Sequence, residues 1–200
     1  MKEIPILMST PMVQAILEGR KSQTRRIVKP QPKKQLYPCG TGKKYWTENP
    51  NDLKAKYFHH NYGEIGSILW VRETWNTLTA YYEKPDYSVM VVRDFVYKAD
   101  DNRFDKWKPS IFMPKEACRI RLLVEDVRVE RLQDITEEDA KAEGYLYSDW
   151  HRINEDAAGI ALYSIPDKPI CWYAELWRSI NGKDSWDKNP WVWVITFTKL

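Results

Sequence analysis

Cysteine is scarce: Cys39, Cys118 and Cys171 are the only three in 200 residues, far apart and odd in number. Neither a disulfide framework nor a paired-cysteine zinc site can be drawn from them. Histidine is equally sparse. His59, His60 and His151 fall in none of the spacings that give metal sites their geometry, so no metal and no organic cofactor is expected. No run approaches the ~20 consecutive apolar residues of a membrane helix. Met1-Lys2-Glu3 leads only into the short stretch Ile4 to Met8, without a secretory core, which gives a cytoplasmic expectation. Acid is missing from one region altogether. Between Gly19 and Thr47 there are nine Lys or Arg and no Asp or Glu, so the net charge of +3 conceals −6 over the rest of the chain. A positive segment of this kind suits a phosphate-bearing or electron-rich partner.

What is present fits one domain over residues 1–200. Hydrophobic residues make up 43% and charged residues 30%, and the mean hydropathy is −0.62. This balance argues against a membrane protein and against a largely disordered chain. Thr10 to Gly19 predicts a short helix, with a capping hydroxyl at Thr10, Pro11 at the first helical position and Gly19 just past the end. The apolar face is Met12, Val13, Ile16 and Leu17. Ile68 to Trp75 predicts a strand, Phe95 to Lys98 a weaker one, and Cys118 to Arg131 the strongest. Alternation in that last segment slips by one around Leu122-Leu123, which predicts a bulge or bend.

A second short helix is expected from Ile135 to Gly144, with a Thr136-x-x-Asp139 capping pattern. Glu143 is oddly placed there. A carboxylate in the last turn faces the negative end of the helix dipole, a local disagreement that can mark function. Trp172 to Ile180 predicts a third helix stopped by Asn181-Gly182, and Trp191 to Thr198 an aromatic, β-branched closing strand. The resulting fold class is α+β: a mixed β-barrel flanked by short helices. Irregular insertions are expected near residues 30–60, 76–110 and 145–170.

Candidate chemistry centres on Lys21 and Thr24, three residues apart within Gly19-Arg20-Lys21-Ser22-Gln23-Thr24-Arg25-Arg26. A hydroxyl beside an amine makes an oxygen nucleophile without histidine, provided the chain bends so that the two meet. Arg20, Arg25 and Arg26 favour the neutral amine by repelling its ammonium form, whereas a carboxylate such as Glu143 would oppose that. Aromatic faces offer a different chemistry. Tyr45 and Trp46 adjoin Lys43 and Lys44, an arrangement able to stack on bases while contacting phosphates.

Three blocks, Ile16 to Arg26, Gly66 to Glu73 and Ile135 to Gly144, resemble in order the signatures of ASCH domains, which are PUA-like β-barrels. The longer form with Trp-rich insertions is similar to ASCH proteins of phages and prophages. Ser67 departs from the Asp usual after Gly in the second block, and the chain is nearly twice as long as the small members. The resemblance to ASCH amidohydrolases, which release cytidine from N4-acetylcytidine, implies a catalytic triad of Thr24, Lys21 and Glu143, with Arg26 matching a basic position two residues after the threonine. The substrate would be a modified nucleoside or nucleobase. Arg26, Arg72, Glu73 and Trp75 are the candidate substrate-binding residues, although Arg72 and Glu73 point to opposite faces of a strand and Glu73 can serve as a structural partner. The competing expectation is a non-catalytic RNA-binding module, with the basic segment on phosphates and Trp46, Trp70 or Trp75 stacking bases; a ribonuclease is a third.

Overall fold

A computed structural model describes residues 2–39, 45–52, 56–83, 89–101, 103–146 and 168–200. In chain order these form β1 (Glu3–Leu7), α1 (Thr10–Leu17), β2 (Gln23–Ile27), β3 (Tyr37–Cys39), β4 (Tyr45–Thr47), β5 (Tyr57–His59), β6 (Ile68–Arg72), β7 (Trp75–Glu83), β8 (Val89–Tyr97), β9 (Arg121–Arg131), α2 (Glu137–Ala142), α3 (Pro169–Asn181) and β10 (Trp191–Lys199). The fold is α+β, with more strand than helix. Its main sheet runs β1-β6-β9-β10-β2, parallel between β1 and β6 and antiparallel elsewhere. No helix among the described residues is long and apolar enough to cross a membrane.

The burial of β10 explains its sequence. Trp191, Trp193, Ile195 and Phe197 face one core with Ile6, Ile16, Leu69, Leu122 and Val127. Val192 and Val194 face a second core capped by Leu132, Ile135, Ala140, Trp172, Tyr173 and Trp177. A strand covered on both sides has no polar face to present, so its apolar run is continuous where a half-buried strand would alternate. β9 does alternate, and its buried side shifts from Leu122 and Val124 to Val127 and Val129. The register slip therefore lies at Glu125, where Thr196 pairs Asp126 and Phe197 pairs Val124. That is two to three residues beyond the place suggested by Leu122-Leu123, because Leu123 is merely half-buried on the opposite face.

Several expectations need correction. The sheet is not a closed barrel: β1 and β2 are its two edges. The gap is spanned by a side chain, with Arg26 Nη2 donating to Leu7 O at 2.9 Å. The cap of α1 is Ser9, one residue before Thr10, and its hydroxyl makes no capping bond. The strand expected over Ile68 to Trp75 breaks between Arg72 and Trp75, and β7 begins a two-stranded ribbon with β8. The region near 30–60, expected to be irregular, carries a small β3-β4-β5 sheet whose Trp46 and Phe58 reach into the main core. Of the expected insertion at 145–170, residues 147–167 lie outside the described part.

Two helix ends meet at the edge of this sheet. After α1 the chain turns at Gly19, with φ of +76°, and passes through Arg20 to Ser22 into β2. After α2 it turns at Gly144, with φ of +107°. The two turns are bonded backbone to backbone: Lys21 and Glu143 form an antiparallel bridge, and Ser22 N donates to Ala142 O at 2.8 Å. A Cβ on Gly144 would stand 2.9 Å from Ala15 Cβ and 3.4 Å from Lys21 Cβ. Gly144→Ala therefore meets both a positive-φ penalty and a clash with the Ala15 side chain, and should destabilise the protein by about 1–3 kcal/mol, measured as a lowered urea midpoint with unchanged m-value.

Candidate functional site

The bridge between Lys21 and Glu143 brings together side chains 122 residues apart. Glu143 ends α2, capped at its start by Thr136 Oγ1 accepting from Asp139 N at 3.1 Å. Its carboxylate, disfavoured by the helix dipole, is repaid by cations. Lys21 Nζ donates to Glu143 Oε2 at 2.6 Å, and Arg25 Nη1 to Glu143 Oε1 at 3.2 Å. Lys21 Nζ also donates to Gln23 O at 2.6 Å and Glu143 O at 3.0 Å, so all three ammonium donors are used. Lys21, Arg25 and Glu143 are 4%, 2% and 3% exposed.

The pair belongs to a larger network that extends from the buried site toward half-buried groups. Arg25 also reaches Glu130 at 2.7 Å and Asp139 at 3.0 Å, and Arg128 contacts the same two carboxylates at 2.9 Å. Three cations thus meet three carboxylates. Burial lowers the pKa of Lys21 from the ordinary lysine value; the charge of Glu143 raises it in part, and Arg26 and Arg25 lower it again. The net lowering makes the amine available as a base nearer neutrality than a free lysine.

Beside this network lies a cavity of about 280 Å³, lined by Thr24, Arg25, Arg26, Lys29, Glu143 and Tyr173, with Met12, Leu176, Trp177 and Ile180 as its apolar wall. That is at the small end of the ~300–1,000 Å³ typical of ligand sites. Thr24 is fixed by pairing with Ile195 of β10 and is 1% exposed. Its hydroxyl has no hydrogen-bond partner among the described residues, and no hydrogen bond joins it directly to Lys21. Tyr173, on α3, is 3% exposed, with Arg25 lying 5.8 Å from its ring centre. Burial first, and the nearby Glu143 charge second, hold its phenol well above the usual tyrosine range, so it is a hydrogen-bond donor.

The structure therefore brings Lys21, Thr24, Arg26 and Glu143 to one place and leaves three other candidates elsewhere. Arg72, Glu73 and Trp75 do not line the cavity. Arg72 Nη2 donates to Ile111 O and stacks over Trp70. Glu73, 1% exposed, accepts two bonds at 2.9 Å from Arg119, which also binds Asp100 and lies over Tyr97; this is the structural pairing, tying the base of the β7-β8 ribbon to the start of β9. Trp75 packs on Phe95 and Lys108. Trp46, Trp70 and Trp75 are all buried, so they do not present open faces for stacking on bases. Lys43 and Lys44 lie outside the described residues.

Arg25 and Tyr173 were not singled out as site residues by sequence. Arg25 was legible as a neighbour that favours the neutral Lys21 amine, but not as a partner of Glu143. A tyrosine between Trp172 and Trp177 on a helix reads as core, and what distinguishes it is a polar tip requiring a partner when buried. Among the described residues no group of three or more His, Cys, Asp or Glu could hold a metal ion, and the three cysteines are free. Neither family models, nor curated proteins, nor solved structures yield a match to this chain.

The network sets an order of stability. Glu143→Gln leaves Lys21 without a carboxylate in a dry site and should cost about 3–5 kcal/mol. Lys21→Met leaves Glu143 still paired to Arg25 and should cost clearly less, in parallel denaturant titrations. The reverse order would mean that Arg25 does not support Glu143.

Proposed function

We propose that this chain is a cytoplasmic amidohydrolase cleaving the exocyclic amide of N4-acetylcytidine or related N4-acylated cytosine compounds, on an ASCH-like, PUA-like sheet. The observation that carries the reading is the buried Lys21–Glu143 pair, whose Glu143 lines, together with Thr24, a cavity of about 280 Å³. Two of the three blocks that resemble ASCH signatures meet here, α1 with β2 and α2; the block containing β6 lies elsewhere in the sheet.

In this mechanism the Lys21 proton moves along its 2.6 Å bond to Glu143 Oε2, turning a buried ion pair into a neutral pair with a free amine lone pair. Because Lys21 and Thr24 are not directly bonded, the Thr24 proton travels to that amine through one cavity water. Thr24 Oγ1 then adds to the amide carbonyl carbon. The oxyanion is met by the Tyr173 hydroxyl and by the field of Arg26. Collapse breaks the C–N bond, the proton goes to the departing N4 amine, and cytidine leaves. Water then hydrolyses the acyl-threonine ester with the Lys21–Glu143 pair again taking and returning a proton, giving the free carboxylic acid and Thr24.

Cytidine release from N4-acetylcytidine should vanish in Thr24→Ala and fall by about 10²–10⁴-fold in Lys21→Met, both checked for folding by circular dichroism. No turnover by the wild-type protein across several N4-acyl groups would sink the proposal. The pH profile has a definite sign: losing a proton from the Lys21–Glu143 pair frees the amine without the internal transfer to Glu143, so kcat/KM should rise with pH, with a midpoint below that of an ordinary lysine because burial lowers the Lys21 pKa.

A further inference from the structure

The charges around Glu143 cancel, three cations against three carboxylates. The cavity wall is nevertheless positive. Arg26 and Lys29 line it, and neither has an ion-pair partner among the described residues. Arg26 commits one nitrogen to Leu7 O and Met8 Sδ. Lys29 is exposed at the rim and makes no hydrogen bond there. Thr24 and Tyr173 line the same cavity, and so does Trp177, whose buried Nε1 has no hydrogen-bond partner among the described residues. A buried donor that lacks a partner at a cavity wall awaits a ligand's polar atom.

Their order along the chain gives the ligand a direction. Thr24 and Arg26 lie two residues apart on one face of β2, about 7 Å along the strand, and Lys29 follows where the chain leaves the sheet. Reaction point, first cation and second cation thus succeed each other from the interior to the rim. An uncharged nucleoside would leave both cations unanswered in a partly dry site, whereas an anionic group at the rim would be met by two.

We propose that this cavity takes a cytosine nucleotide, with the base and its acyl group inside near Thr24 and Tyr173 and the phosphate at the rim on Lys29, within the field of Arg26. The choice of cytosine rests on the amidohydrolase reading; the requirement for an anion does not. The phosphate has two sources, a free mononucleotide or a linkage within a strand, and the small cavity favours the former.

The test is calorimetric titration of cytidine and cytidine 5′-monophosphate into the wild-type protein and Lys29→Ala, an exposed position where folding is not at stake. The monophosphate should bind about tenfold more tightly than cytidine, its advantage should shrink as salt rises, and Lys29→Ala should erase most of it. Equal binding of the two ligands, binding of neither, or a preference that survives Lys29→Ala overturns the proposal. A cytidine-containing dinucleotide that binds more tightly than the monophosphate supports it with the strand linkage as the source. If the monophosphate is preferred through Lys29 while no N4-acyl compound is hydrolysed in the kinetic assay, the amidohydrolase reading fails and the anionic site stands.

Discussion

A carboxylate at the end of one helix and an amine just beyond another meet in the interior because their backbones are bonded to each other. The Lys21–Glu143 bridge, reinforced by Ser22 N on Ala142 O and by Arg20 Nη1 on Gly144 O, sets the separation of the two side chains before any attraction between them acts. This matters because two charges brought out of water gain little unless their geometry is held. Here it is held by main chain. The two glycine turns supply the approach, and α2 and α3 seal the site from the side of the second core.

Around that bridge the protein has assembled charges in equal number, which has both a structural and a chemical side. Arg25 is the hinge of the arrangement, since it touches Glu130, Asp139 and Glu143 at once. By occupying one oxygen of Glu143 it leaves the other facing Lys21 at 2.6 Å. A proton shared over so short a contact can shift without moving net charge across the site. Such a transfer is cheaper in a low-dielectric interior than creating an isolated ion.

Part of this was legible in the residues. The helix ends at Gly19 and Gly144, the capping threonine of α2 and the closing strand β10 follow from local chemistry and periodicity. Glu143 stood out because it opposed its own helix dipole, and the structure supplies Lys21 and Arg25 as compensation. Arg72, Glu73 and Trp75 were less readable, since a charged or aromatic residue near a strand end looks alike whether it faces a ligand or a neighbour. Their partners, Ile111, Arg119 and Lys108, are all distant in sequence. The barrel expectation failed for a related reason: strand content was visible, but whether β1 and β2 pair is a long-range fact, and Arg26 fills the gap in place of a ladder.

β2 is held in the sheet by a strand far from it along the chain. Thr24 has Ile195 as its cross-strand neighbour, so the position of the candidate nucleophile depends on a non-local pairing. Loop-closure entropy makes such a pairing slow. The alignment of Lys21, Thr24 and Glu143 thus belongs to the late, long-range part of folding, and damage to β10 should disturb it even where no residue of the site is touched.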